Sequence, residues 1–128
     1  MTAHRLVSIV IVVSALALAC AETTAQVVPI TPDALLASPP AGALILDVRT
    51  TNEYAAGHVP SAVNVPHDQV TARLTELGDD LTRPVVVYCE SGRRAGRAES
   101  VLLEAGFTDV RHLEGDMKAW RASGRVTE

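Results

Sequence analysis

Within six residues, Cys89-Glu90-Ser91-Gly92-Arg93-Arg94, this chain combines a thiol, a glycine and paired arginines. The segment follows an apolar, strand-like run, Pro84-Val85-Val86-Val87-Tyr88, and opens a helix-like stretch from about Ala95 to Ala105. A cysteine at a strand-to-helix turn faces the backbone N–H groups of the loop and the positive end of the helix dipole. Both stabilise a thiolate, which is the reactive form of the side chain. Arg93 and Arg94 add positive charge beside the sulfur, and Arg97 follows one turn later. The loop reads as a cradle for a sulfur anion or an anionic substrate.

The elements that must hold this loop alternate between strand and helix. Val27-Val28-Pro29-Ile30 predicts a first strand at a sheet edge, where a proline is tolerated. Thr31 and Pro32 predict a helix start, with threonine as N-cap and proline in the first turn, and Pro39-Pro40 ends that helix. Leu44-Ile45-Leu46-Asp47-Val48 is the continuous apolar run of a strand covered on both faces. Thr50 and Glu53 have capping-box spacing, predicting a short helix that Gly57 stops. A short strand over Ala62–Val65 is closed by Pro66, and an amphipathic helix is expected from Asp68 to Leu77, closed by Gly78. After the Cys89 loop and its helix, Gly106 is a C-cap, Val110–Leu113 a last strand, and Asp116–Arg121 a final helical turn or two. This alternation predicts one α/β domain with a mainly parallel, five-stranded sheet flanked by helices on both faces.

The first residues read differently. Arg5 precedes Leu6 to Ala19, a run without charge, and Ala17-Leu18-Ala19 has the small residues at alternate positions that a signal peptidase requires. The run is shorter than the roughly 20 apolar residues of a permanent membrane span. We therefore expect residues 1–21 to be an export leader, 22–29 a tether and first strand, and 30–126 the domain. Cys20 follows Leu16-Ala17-Leu18-Ala19, a loose likeness to a bacterial lipoprotein box, so lipidation of Cys20 and plain cleavage stand side by side. Either route gives an exported protein, in a bacterial periplasm or lipid-anchored to the envelope, with contact to a membrane only through that anchor. The formal charge is −4, and about −5 without Arg5, against a general nucleic-acid binder. Of two cysteines, Cys89 alone would remain if Cys20 is lipidated or removed. No Cys/His grouping has metal-ligand spacing, so no metal is expected.

Four motifs in order resemble those of the rhodanese family, from about Ile30 to Gly124. Leu46-Asp47-Val48-Arg49 with Glu53-Tyr54 is similar to the first; Gly57-His58-Val59-Pro60-Ser61-Ala62-Val63-Asn64-Val65-Pro66 to the second, with Ser61 where glycine is commoner. Tyr88 to Ala95 resembles the active-site loop, and Leu113-Glu114-Gly115-Asp116-Met117-Lys118-Ala119-Trp120 the closing motif, with Asp116 in place of the usual second glycine. The resemblance implies a sulfurtransferase in which Cys89 takes sulfur from a donor such as thiosulfate and passes it, as a persulfide, to cyanide or a thiol, free or on a partner protein, without a cofactor. It implies that the N–H groups of Glu90, Ser91, Gly92, Arg93 and Arg94 ring the sulfur, that Gly92 permits the turn, and that Arg94 supplies charge or braces the loop against an acidic partner. Arg49 matches a position that faces the anionic substrate. Asp47 and Glu53 are expected as structural support, Asp47 orienting arginine or backbone and Glu53 capping its helix.

Competing readings attach to the same residues. Phosphatase and arsenate-reductase relatives place five residues between cysteine and arginine, whereas four separate Cys89 from Arg94, a tighter ring suited to a single sulfur atom. A non-turnover module that docks a partner or relays sulfur is the main alternative, and a buried core cysteine the plainest one. Arg93 and Arg97 are expected on a solvated helix face, His58 on the backbone of its turn, and Trp120 in the core. His67 and His112 have no partner visible in the sequence. Glu90 is discordant: a carboxylate beside Cys89 disfavours a thiolate and repels a dianionic donor unless its side chain turns to solvent.

Overall fold

The computed structural model describes residues 24–128; the leader expected over residues 1–21, with Cys20, lies outside the described residues. Five strands, β1 (Val28–Ile30), β2 (Leu44–Asp47), β3 (Val63–Asn64), β4 (Val85–Tyr88) and β5 (Val110–Leu113), form one sheet in the order β1-β5-β4-β2-β3. Every pairing is parallel. Three α-helices lie between strands, α1 (Pro32–Ala37), α2 (Thr51–Ala55) and α3 (Arg93–Glu104), and a fourth, α4 (Asp116–Ala122), follows β5. Pro29 sits in the edge strand β1, as its missing N–H requires.

Strand β4 shows how the two faces are filled. Successive side chains of a strand point to opposite faces. Val85 and Val87 join a core with Leu44, Leu46, Ala95, Ala98, Leu102 and Phe107, under α3. Val86 and Tyr88 join the other, with Leu35, Leu113, Met117 and Trp120, under α1 and α4. The central strand is therefore apolar throughout, and all four of its residues are fully buried. Trp120 is also fully buried, and its indole N–H donates to the Val126 carbonyl at 2.9 Å.

Local signals set the helix starts. The Thr31 hydroxyl accepts the Ala34 N–H at 3.1 Å. At α2 the capping box closes both ways, Glu53 N–H to the Thr50 hydroxyl at 3.2 Å and Thr50 N–H to the Glu53 carboxylate at 3.3 Å. The helix expected over Asp68–Leu77 is not formed. Residues 67–73 are successive turns and Leu74–Leu77 is a 3-10 helix. Gln69 N–H bonds the Pro66 carbonyl and Glu76 N–H that of Arg73, both three residues back. Val70 and Leu77 still reach the core, because spacings of four and three between apolar residues fit a tight 3-10 pitch as well as an α-helix.

The chain leaves β2 toward β3 on one side of the sheet, and β4 toward β5 on the other. The β2 and β4 carboxyl ends therefore meet where the connections diverge, the crevice where parallel α/β sheets place their ligands. The segment after β5 arrives alongside.

Candidate active site

Cys89 directly follows β4 and stands at the floor of its loop, 1% exposed. Gly92 adopts a left-handed backbone, φ 108°, which turns the chain into α3 and brings its N–H to 3.0 Å from Cys89 Sγ. Of the N–H groups from residues 90 to 94, this is the one that donates to the sulfur; the expected ring is realised as a single bond within an enclosing loop. Cys89 packs with the core under α3, yet its sulfur also accepts the Gly92 N–H at the start of that helix, a polar contact at its positive end.

The loop is held from two sides, by α2 and by α4. After β2, Arg94 is met by Glu53 through two bonds, Nη1 to Oε1 at 2.7 Å and Nη2 to Oε2 at 3.0 Å. The expected brace and the expected helix cap are thus one residue, Glu53. The Arg94 bond, with smaller help from Thr50 and against burial, lowers the Glu53 carboxyl to about 2. From the α4 side, Met117 N–H donates to the Cys89 carbonyl at 3.0 Å and Lys118 N–H to the Glu90 carbonyl at 3.1 Å. Asp116 Oδ1 accepts the Cys89 N–H at 2.9 Å.

Arg49 does not face a substrate as an open cation. It is 2% exposed and forks onto Asp47, Nη2 to Oδ2 at 2.6 Å and Nε to Oδ1 at 3.0 Å, while Nη2 also donates to the Gly57 carbonyl at 2.8 Å. Burial works against its charge, and the Asp47 bonds and charge outweigh that, so it stays above its ordinary value. Asp47, fully buried, also accepts the Tyr88 hydroxyl at 2.7 Å, and burial with the Asp47 charge pushes that phenol well above its usual range. Tyr88 in turn accepts the Val59 N–H at 3.1 Å. Asp47 and Arg49 thus tie β2, β4 and the Gly57 turn together. Only Nη1 of Arg49 turns toward the loop, 3.8 Å from Glu90 Oε2.

Glu90 does not simply turn to solvent. Its carboxylate forks onto Arg121 of α4, Nη1 to Oε2 at 3.1 Å with a second bond from Nη2 to Oε1. Arg49, Glu53, Ala56, Gly57, Glu90 and Arg121 line a cleft of about 310 Å³ beside the loop. Arg93, Arg97 and Ser91 are exposed on the outer side. His58 Nδ1 bonds the Tyr54 carbonyl at 2.9 Å and its ring stacks on Tyr54, so it belongs to its turn.

Sequence reasoning missed three residues: Glu99, His112 and Asp116. His112 binds Glu99 through Nδ1 and Asp116 through Nε2, the latter at 3.1 Å. Asp116 first and Glu99 second, against burial, raise its imidazole to about 10. A signal was present: Glu99 falls on the buried stripe of α3 with Ala95, Ala98 and Leu102, where a carboxylate needs a partner. The two departures from the family pattern also share a cause. Among the described residues, Ser61 and Asp116 are the non-glycine residues with positive φ, 67° and 54°. That conformation costs an L-residue about 1–2 kcal/mol, which explains why glycine is the commoner choice at both.

This chain belongs to the rhodanese-like domain family, whose match spans residues 31–123. Its relatives include proteins named for sulfur transfer. It is 37% identical over 81 residues to a sulfurtransferase of Allochromatium vinosum, covering 63% of this chain and 74% of that one. It is 37% identical over 70 residues to thiosulfate sulfurtransferase PspE of Escherichia coli, covering 55% and 67%. Among solved structures, a rhodanese with anions from Escherichia coli superposes with a TM-score of 0.58 at 30% identity, covering 67% of this chain and 96% of that one.

Proposed function

We propose that this protein is a sulfurtransferase that carries sulfane sulfur as a persulfide on Cys89. The observation that carries the reading is the enclosed sulfur at the start of α3, with the Gly92 N–H 3.0 Å from Sγ. The Cys89 thiolate attacks the outer sulfur of a donor such as thiosulfate. A sulfur–sulfur bond forms at Cys89, the donor's own sulfur–sulfur bond breaks, and sulfite departs with the electron pair. The terminal sulfur of the persulfide, an anion, sits where the loop N–H and helix dipole stabilise it. An acceptor, cyanide or a thiolate, then attacks that terminal sulfur and leaves as thiocyanate or a new persulfide, returning the Cys89 thiolate. Each electron pair comes from Cys89, the donor or the acceptor, so no cofactor or metal is invoked. The names of the relatives and the four-residue spacing between Cys89 and Arg94 support sulfur over phosphate or arsenate as the group held.

A steady-state assay with thiosulfate and cyanide tests the reading. Wild type is expected to turn over and Cys89→Ser to be inactive; no turnover in the wild type, or equal rates in both, sinks the enzyme and leaves a docking or relay module.

We further propose that the protein acts outside the cytoplasm after removal of the segment ending at Ala17-Leu18-Ala19, with Cys20 the candidate lipid attachment point. Mass measurement of the protein from its native cell decides: a lipid-modified Cys20 or a start near residues 20–22 is expected, and an intact Met1 start rejects the leader.

A further inference from the structure

Beneath the Cys89 loop lies an ionisable group that the sulfur chemistry above leaves unused. His112 of β5 stands between Glu99 of α3 and Asp116 at the start of α4, one carboxylate on each ring nitrogen. Glu99 and Asp116 are 7% and 3% exposed, and two carboxylates so buried require a cation between them. With both nitrogens committed, the imidazole has no lone pair left to act as a base. The two carboxylates diverge from opposite sides of the ring, so the three groups do not converge on a metal ion.

The second oxygen of Asp116 connects this group to the loop. While Oδ2 meets His112, Oδ1 accepts the Cys89 N–H at 2.9 Å, completing a chain from Glu99 through His112 and Asp116 to the reacting residue's backbone. Gly92 passes directly above: a Cβ there would lie 3.2 Å from Asp116 Oδ2 and 3.8 Å from the His112 ring. Asp116 occupies this place at φ 54°, directly after Gly115 at φ 77°. A side chain kept in the left-handed region is one whose contacts outweigh that conformation's cost.

We propose that Glu99, His112 and Asp116 are positioning residues of the sulfur-carrying loop. Asp116 fixes the Cys89 backbone so that Sγ meets the Gly92 N–H. His112, clamped by Glu99, fixes Asp116 and places a positive charge under the Gly92 turn. The inference rests on the reading of Cys89 as the reacting thiol.

The test compares wild type, Asp116→Gly, Asp116→Asn and His112→Gln by three readouts: kcat and KM for thiosulfate, the rate of Cys89 alkylation by iodoacetamide at neutral pH, and Tm. Asp116→Gly relieves the backbone while deleting the acceptor. Its Tm should fall only modestly, because the relieved backbone offsets part of the lost contacts, while kcat and alkylation rate both drop about threefold to tenfold, the worth of one hydrogen bond. Asp116→Asn, which tolerates the same backbone and keeps an acceptor for the Cys89 N–H, should recover the larger part of both rates. His112→Gln removes the cation, leaves two carboxylates near the sulfur, and should slow alkylation by a similar factor. Asp116→Gly rates within twofold of wild type, or Asp116→Asn as slow as Asp116→Gly at equal Tm, would overturn the proposal. Alkylation reads the loop whether or not sulfur is transferred, so a wild type without turnover defeats the enzyme reading while the relay is still judged.

Discussion

At the residue scale, the cations around Cys89 are largely spoken for. Arg49 is held by Asp47, Arg94 by Glu53, and Arg121 by Glu90. Glu90 is the carboxylate among these that directly follows Cys89 and lines the 310 Å³ cleft with Arg49 and Arg121. An anionic donor entering that cleft must compete with it. Glu90→Gln removes one negative charge a few ångströms from a dianion, and should lower the KM for thiosulfate about two- to fivefold with a smaller effect on kcat. The gain should shrink at high salt. An unchanged or raised KM would mean that the Arg121 fork matters more for holding the loop than for screening the donor. The sequence revealed the conflict at Glu90 but not its resolution, because Arg121 lies 31 residues away on α4.

At the element scale, the site depends on α2 and α3 being clamped together at their N-terminal ends by Glu53 and Arg94. Glu53 is depressed to about 2 in the folded protein from an ordinary value of 4.5. Its contribution to stability is therefore present above about pH 4.5 and is lost as pH falls through about 2. Both side chains are partly exposed, so solvent screens the pair and the effect is modest. Thermal melts across this window should show wild type losing Tm more steeply than Arg94→Gln as acid is added. Parallel curves would mean that the Thr50 cap, not Arg94, depresses the carboxyl. Much of this layer was legible beforehand. The Thr50–Glu53 capping box and the Thr31 cap are local signals satisfied three residues away, and the strand before Cys89 shows in its continuous apolar run although its partners lie in β2 and β5. The segment from Asp68 to Leu77 shows where local reading stops: its apolar spacing announced an amphipathic element but did not fix the helical pitch, and the structure brings Val70 and Leu77 into the core on turns and a 3-10 helix.

At the scale of the whole molecule, the all-parallel order β1-β5-β4-β2-β3 brings residues from after β2, β4 and β5 to one edge. The alternation of strands and helices announced such a sheet, and the four motifs placed Cys89, Arg94, Asp47 and Glu53 in it. The pairing of Glu99 with His112 escaped notice because it joins a helix face to a strand 13 residues on, a contact that exists only after the sheet has formed. The position of Asp116 was visible as a departure from the family pattern. Its purpose became legible when its carboxylate was found between His112 and the Cys89 N–H. The same architecture buries Cys89 almost completely.

The most direct test of the account is mass analysis of the folded protein after thiosulfate is added without an acceptor. The account predicts a gain of one sulfur atom, mapped to Cys89, removed by cyanide and absent from Cys89→Ser. An unmodified Cys89, or sulfur bound elsewhere in the chain, would contradict it.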